Sequence, residues 1–265
     1  MSFLMLKALF VGMLFYSAVT QACVLRVAAE TDFPPHLILK EQGWQGQSVE
    51  LLQLLATEVG CDLQFINSPW LRSLAQIKSG ELDLVSHLSF SEARKSDFAF
   101  IGPHHIESIW LIGNPKKLPA LSRFDDLSHK VDLGRIAELN GAYYGEDFAS
   151  LKQTEFFARQ LVSISSIQDK LLLLEAGRVN AILEDVSVLE YWQKNKYKNA
   201  NNYQPLVLVY QSPVYFGFSK KSLSKPMLVK LQQAWQKLYE EGAIDQIVRR
   251  YQQNTRQPLT PSSVL

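Results

Sequence analysis

Several things are scarce in this 265-residue chain, and each scarcity narrows what it can be. Net charge is nearly absent: 27 Lys and Arg stand against 26 Asp and Glu. With no basic cluster either, there is no electrostatic footprint for nucleic acid. Cysteine is limited to two residues, Cys23 and Cys61, which make a poor metal site alone, and no histidine stands at ligand spacing from either. Histidine itself is limited to five positions. His104-His105 reads as a loop, while His36 and His129 are scattered, so neither a metal nor another cofactor is expected. No His/Cys/Ser constellation supports hydrolysis. After residue 22 there is no apolar run long enough to span a bilayer, which takes about 20 residues.

The one long apolar run is at the start. Lys7 precedes Ala8 to Val19, and Thr20-Gln21-Ala22 follows. A positive start, a short greasy centre and small residues before a cut after Ala22 are the order of a secretory signal peptide. Lys7 is the only charge within residues 1–22, so the mature chain has a formal net charge of zero. A periplasmic, disulfide-permissive compartment follows. A Cys23–Cys61 disulfide would staple the mature N-terminus to the start of a second strand. Two buried free thiols are the alternative, and lipidation of Cys23 ranks below the disulfide because Thr20-Gln21-Ala22-Cys23 lacks the usual Leu.

Periodicity predicts an α/β chain. Strand Val24–Ala29 runs to Asp32-Phe33-Pro34-Pro35, then a helix capped by Ser48 carries Val49, Leu52, Leu55 and Val59 to Gly60. Strand Leu63–Ile66, a helix with Leu71, Leu74 and Ile77 ending at Gly80, and strand Leu82–Leu88 complete a parallel unit. A second unit begins after Gly113-Asn114-Pro115. It has a strand over 131–136, a turn at Asn140-Gly141, a helix near 145–160, a Ser166-capped helix ending at Gly177, and a strand over 179–183. Lys78-Ser79-Gly80-Glu81-Leu82-Asp83 parallels Glu175-Ala176-Gly177-Arg178-Val179-Asn180, so the grammar repeats. Strands at 206–209 and 214–218 precede two closing helices, which exceed the needs of the second unit. The chain therefore divides as leader 1–22, lobe 1 at 23–112, lobe 2 at 113–209 and a return to lobe 1 at 210–265, with a hinge of two crossings.

Ligands of open parallel sheets bind beyond the carboxyl ends of the strands. Ser89, Ser91 and Arg94 follow one such end, and a planar guanidinium flanked by hydroxyls matches a carboxylate. A capping turn with a surface arginine explains the same residues. Glu184-Asp185 follows the equivalent end of the second unit, where an Asp serves either an ammonium group or a helix cap. Phe33 and Trp70 are aromatic candidates, and Trp110 and Tyr143-Tyr144 weaker ones.

Taken together, Asp32-Phe33-Pro34-Pro35, Gly80-Glu81-Leu82-Asp83, Ser89-x-Ser91-x-x-Arg94, Gly177-Arg178-Val179-Asn180 leading to Asp185, and Tyr215-Phe216-Gly217-Phe218-Ser219-Lys220 resemble one family over nearly the whole mature chain. It is the amino-acid class of bacterial extracellular solute-binding proteins, which includes the histidine- and lysine/arginine/ornithine-binding proteins. The resemblance implies a two-lobed periplasmic-binding-protein type II fold, each lobe a mostly parallel sheet flanked by helices. It implies that Arg94, helped by Ser89 and Ser91, meets a ligand α-carboxylate, that Asp185 receives the α-ammonium, and that Phe33 and Trp70 flank the side chain. The partners implied are an amino-acid-like small molecule and an inner-membrane ABC permease or a sensory receptor, with the protein itself a monomer and not an enzyme. An enzyme on the same fold, like cyclohexadienyl dehydratase, is the alternative, with Glu184 or Asp185 as acid or base.

The chain also departs from the family. Gly141-Ala142-Tyr143 replaces a Gly-Thr-Thr type turn, leaving backbone N–H groups and the Tyr143 phenol. His87 stands where a small residue is common and is a candidate for the ligand side chain. Asn180 replaces an Asp. A carboxylate ligand without an amine stays open.

Overall fold

A computed structural model describes residues 23–30, 33–129, 131–195, 197 and 199–251. The expected leader and Asp32 lie outside the described residues. In chain order the first half holds β1 (Cys23–Ala29), the hairpin β2 (Ile38–Lys40) and β3 (Gly43–Gln45), α1 (Gln47–Val59), β4 (Cys61–Asn67), α2 (Trp70–Ser79) and β5 (Leu84–Ser89). The long strand β6 (Phe98–Gly113) leads to β7 (Ile136–Leu139), α3 (Gly145–Lys152), α4 (Glu155–Ala158), β8 (Leu161–Ile164), α5 (Ile167–Glu175), β9 (Ala181–Asp185) and α6 (Val186–Lys194). A second long strand, β10 (Gln204–Ser219), precedes α7 (Lys225–Glu240) and α8 (Ala243–Tyr251).

Eight strands form one sheet in the order β4-β1-β5-β10-β6-β9-β7-β8. β4, β1 and β5 are mutually parallel, as are β9, β7 and β8. β1 lies between two neighbours and is covered by helices, so its run of Leu25, Val27, Ala28 and Ala29 is almost wholly buried. The antiparallel pair β6 and β10 runs down the middle. β5 holds β10 only from Val214 onward, and β9 holds β6 only from Ile109 onward. At 106–108 and 211–213 the two long strands therefore pair only with each other. Two lobes joined by a two-strand ribbon result. The closing helices α7 and α8 pack on α1 and bury Trp235 edge-on against Phe216, which returns the chain to the first lobe.

The repeat extends to hydrogen bonding. Gly80 and Gly177 both take left-handed backbone after their helices, with φ of 84° and 64°. Asp83 then accepts the backbone N–H of Arg26 at 2.8 Å, and Asn180 accepts that of Arg135 at 2.9 Å. Asn180 thus does by its amide oxygen what Asp83 does by its carboxylate. Only Asp83 also pairs with a guanidinium, that of Arg26.

Several expectations are corrected. His104-His105 is no loop but the interior of β6, whose polar His104, His105 and Glu107 break the apolar pattern of a buried strand. The segments at 206–209 and 214–218 are one strand. Its prolines, Pro205 and Pro213, are tolerated because register shifts fall beside Pro205 and just past Pro213. The strand placed at 131–136 starts only at Ile136, because Asp132 accepts the N–H of Gly134, whose φ of 70° makes a turn there. The helix near 145–160 is two, α3 and α4. Ser48 does not cap α1: the cap position is Gly46, and the N–H groups of Gln47 and Ser48 donate to the carbonyls of Pro35 and His36. A side chain at Gly46 would come within 2.4 Å of the His36 carbonyl oxygen, so this close approach requires glycine.

Cys23 and Cys61 are register partners on β1 and β4 and form a disulfide, which leaves no Cys23 sulfur for lipid. It closes a 38-residue separation. Loop-closure entropy puts its contribution at about 4 kcal/mol. Guanidinium denaturation with and without reductant should show this loss as a lower midpoint. The Cys23→Ser/Cys61→Ser double variant should match the reduced protein.

Candidate functional site

The carboxyl ends of four strands, two from each lobe, converge on one cavity. β1 delivers Glu30, β5 delivers His87 and Ser89, β7 delivers Leu139, and β9 delivers Glu184 and Asp185. This is where a doubly wound sheet places its ligand. The cavity measures about 70 Å³, room for about two waters. A larger solute needs the lobes to part.

Arg94 sits on the short turn that follows β5. Its Nη1 donates to the Ser89 carbonyl at 2.8 Å, and its Nη2 crosses between the lobes to the Gly141 carbonyl at 2.8 Å. Two of five guanidinium N–H groups are thereby used. Burial pulls this group below its ordinary pKa, and the nearby Glu107 carboxylate opposes that. Glu107 reaches the cavity from the middle of β6 and accepts a hydrogen bond from the Ser89 hydroxyl. Desolvation pushes its carboxyl up to about 7, against the bonds and charges of Ser89 and Arg94.

Asp185 caps α6. Its Oδ1 accepts the Ser187 N–H at 2.7 Å and its Oδ2 accepts the Ser108 N–H at 2.8 Å. It also lines the cavity, and each oxygen keeps a further lone pair. Burial pushes its carboxyl up to about 7 in spite of the two serine N–H groups. Beside it, Glu184 forms a buried ion pair with Lys170 at 2.5 Å. Glu30 caps two helices at once: Oε2 accepts from Trp70 at the start of α2, and Oε1 accepts from Ile167 at the start of α5 in the other lobe. Desolvation still raises its pKa. Four carboxylates and two cations thus face one small space.

The remaining wall is aromatic. Phe33 packs edge-on against His87, with ring centroids 4.8 Å apart, and Trp70 opens α2. Tyr143 lies beside the Gly141 turn and donates to Glu146 at 2.8 Å; burial and that bond push its phenol up to about 12. His87 is held neutral, its pKa pushed down to about 3 by burial.

Of the eight residues expected at the site, Phe33, Trp70, His87, Ser89, Arg94, Tyr143 and Asp185 line the cavity. Ser91 does not: it precedes the Glu92–Arg94 turn, and its carbonyl accepts the Arg94 N–H at 3.0 Å. The expectation that His36 stands apart from the other histidines is also corrected. His36, His87 and His105 each bring a ring nitrogen within 4.8 Å of the others'. Glu30, Glu107 and Lys170 escaped sequence reasoning. A lone carboxylate inside the otherwise uncharged run of 98–113 was the available signal for Glu107.

Residues 25–254 match the family model described as bacterial extracellular solute-binding proteins, family 3. The arginine-binding periplasmic protein of Mannheimia haemolytica is 24% identical over 186 residues, covering 69% of this chain and 72% of that protein. Among solved structures, an ancestral arginine-binding protein bound to glutamine superposes with a TM-score of 0.71 at 21% identity, covering 86% of this chain and 97% of that one. A histidine kinase sensor domain similar to periplasmic binding proteins superposes with a TM-score of 0.73, also at 21% identity, covering 87% and 96%. Among the described residues no helix is long and apolar enough to cross a membrane.

The raised pKa of Asp185 has a signed consequence for stability. A carboxyl whose folded pKa is about 7, above the ordinary 3.8 of an aspartate, binds its proton more tightly in the native state. Its contribution is complete at low pH and is lost as pH rises from about 4 through 7. Denaturation curves of wild type and Asp185→Asn across that window should diverge, the wild type losing stability relative to the variant. The steepest change is roughly 1.4 kcal/mol per pH unit.

Proposed function

The chain belongs to family 3 of the bacterial extracellular solute-binding proteins, and on that footing we propose that it captures a polar amino acid between its lobes and delivers it to an ABC-type permease. One observation carries this reading: Arg94 and Asp185 line the same cavity from different lobes, each with hydrogen-bonding capacity to spare. A zwitterion fits between them, its carboxylate on Arg94 with the Ser89 region and its ammonium on Asp185. The side chain then lies between Phe33 and Trp70, near His87 and Tyr143.

Lobe closure follows from that placement. A ligand touching both lobes binds the closed form better than the open one and shifts the population toward it. Glu30 to Ile167, Arg94 to Gly141 and His36 to the Ser187 hydroxyl are, among the described residues, direct bonds that cross between the lobes without a ligand. We assign 23–112 and 210–265 to one lobe and 113–209 to the other, with residues 1–22 as the leader that directs the chain to the periplasm.

The excess of carboxylates, Glu30, Glu107, Glu184 and Asp185 against Arg94 and Lys170, supports a ligand carrying positive charge or amide N–H groups on its side chain. The arginine-binding relative and the ancestral arginine-binding protein lend the same support. The likeness to a kinase sensor domain favours a second reading, in which the same clamp reports its ligand to a receptor. We assign no catalysis to it.

Calorimetry against the common amino acids tests the proposal. Arginine, histidine, glutamine or an aromatic amino acid should bind more tightly than alanine. Arg94→Ala should weaken binding about 100-fold, since a pair of charge-assisted hydrogen bonds contributes roughly 3 kcal/mol. Absence of binding at millimolar concentration, or an Arg94→Ala variant that binds as wild type does, contradicts it.

A further inference from the structure

A histidine cluster lies against the cavity on the side of the first lobe. His36 comes from the turn after β1, and its carbonyl and that of Pro35 accept the first N–H groups of α1. His87 comes from β5 and His105 from β6. The ring centroids stand 4.5 to 4.9 Å apart. Each ring has one buried nitrogen with no hydrogen-bond partner: His36 Nδ1, His87 Nδ1 and His105 Nε2.

The opposite nitrogen of each ring faces a neighbour. His36 Nε2 is 3.4 Å from the Ser187 hydroxyl, His87 Nε2 is 3.5 Å from Glu107 Oε2, and His105 Nδ1 is 2.8 Å from His104 Nδ1. Metal-ligating histidines are built this way, with one nitrogen for the ion and the other oriented by an outer partner. Neutral rings packed only for their apolar faces would leave these three nitrogens, with His104 Nε2 beside them, buried and unpaired in one spot, which folded proteins avoid.

We propose that His36, His87 and His105 form a binding site for one divalent transition-metal ion of the zinc type. Imidazole nitrogen suits Zn²⁺, Cu²⁺ and Ni²⁺, whereas Mg²⁺ and Ca²⁺ take oxygen ligands. An ion about 2.0–2.1 Å from each nitrogen in a tetrahedral shell brings the nitrogens to about 3.3 Å apart. The three rings close up from their present spacing, within 4.8 Å, to reach it. His36 and His105 are stacked at an interplanar angle of 18°, so one of them turns as the ion enters. Glu107 supplies a compensating charge beside His87, with Lys170 the opposing cation nearby. Burial keeps all three rings neutral, the form that ligates. Because His87 also lines the solute cavity, the ion would sit against the bound ligand's chamber.

The test uses untagged full-length protein, stripped with a chelator and titrated with Zn²⁺ by calorimetry at neutral pH. One equivalent should bind, with Mg²⁺ giving no heat. His36→Gln and His105→Gln should each weaken it at least about 100-fold, and Glu107→Gln about 10-fold, as outer partners do. Co²⁺ added to wild type should give the visible bands of a tetrahedral nitrogen-ligated ion, a readout that stands even where a variant misfolds. No zinc binding above the Mg²⁺ level, or binding that survives both histidine substitutions in folded protein, overturns the proposal. Amino-acid titration of the metal-free protein tests the solute cavity separately, so either site can fail without the other.

Discussion

Both lobes hang from one antiparallel ribbon. β6 and β10 pair from one end to the other apart from three shifts of register, the widest leaving 102–104 unpaired, yet β5 grips only the last part of β10 and β9 only the last part of β6. Between those grips, at 106–108 and 211–213, the sheet narrows to two strands. Ladder bonds there hold the lobes in register while leaving them the fewest neighbours to resist bending. Glu107 and Ser108 belong to this narrow segment, and they touch Ser89 and Asp185 respectively. The hinge and the site are therefore one piece of backbone.

Charge in the cavity follows from that closure. Water-excluded carboxyls are pushed toward their neutral forms, as Glu107 and Asp185 show, unless a partner offsets desolvation. Glu30 gets part of such an offset from the N-termini of two helices, although desolvation still raises its pKa. An ammonium group entering the cavity would play the same part for Asp185. Ligand binding and carboxyl ionisation are then coupled, which ties affinity to pH by the same physics that ties stability to it.

Much of the fold was legible because it is written in local signals. Gly60, Gly80 and Gly177 stop helices in the left-handed conformation, and buried apolar runs mark the parallel strands. The two long strands were harder to read. Polar residues inside β6 and prolines inside β10 disguise them, and only cross-strand pairing explains their length. At the site, Arg94 and Asp185 stood out because each follows a strand end within a recognisable pattern. Glu30, Glu107 and Lys170 carry no such pattern, and Ser91 shared the Arg94 pattern while pointing to a backbone role. The histidine cluster was illegible for a topological reason. His36, His87 and His105 are distant in sequence and meet only because β5 and β6 both lie against β10 while the turn after β1 folds over them.

The central claim is that the cavity between the lobes holds an amino acid. Native mass spectrometry of protein released gently from its own cells reads this directly, because a ligand clamped between closed lobes travels with the protein. The account predicts a bound mass equal to that of a single amino acid with a long or planar side chain, absent from Arg94→Ala. A protein that always emerges bare and takes up no amino acid when one is added, or one that carries a carboxylate lacking an amine, would contradict it.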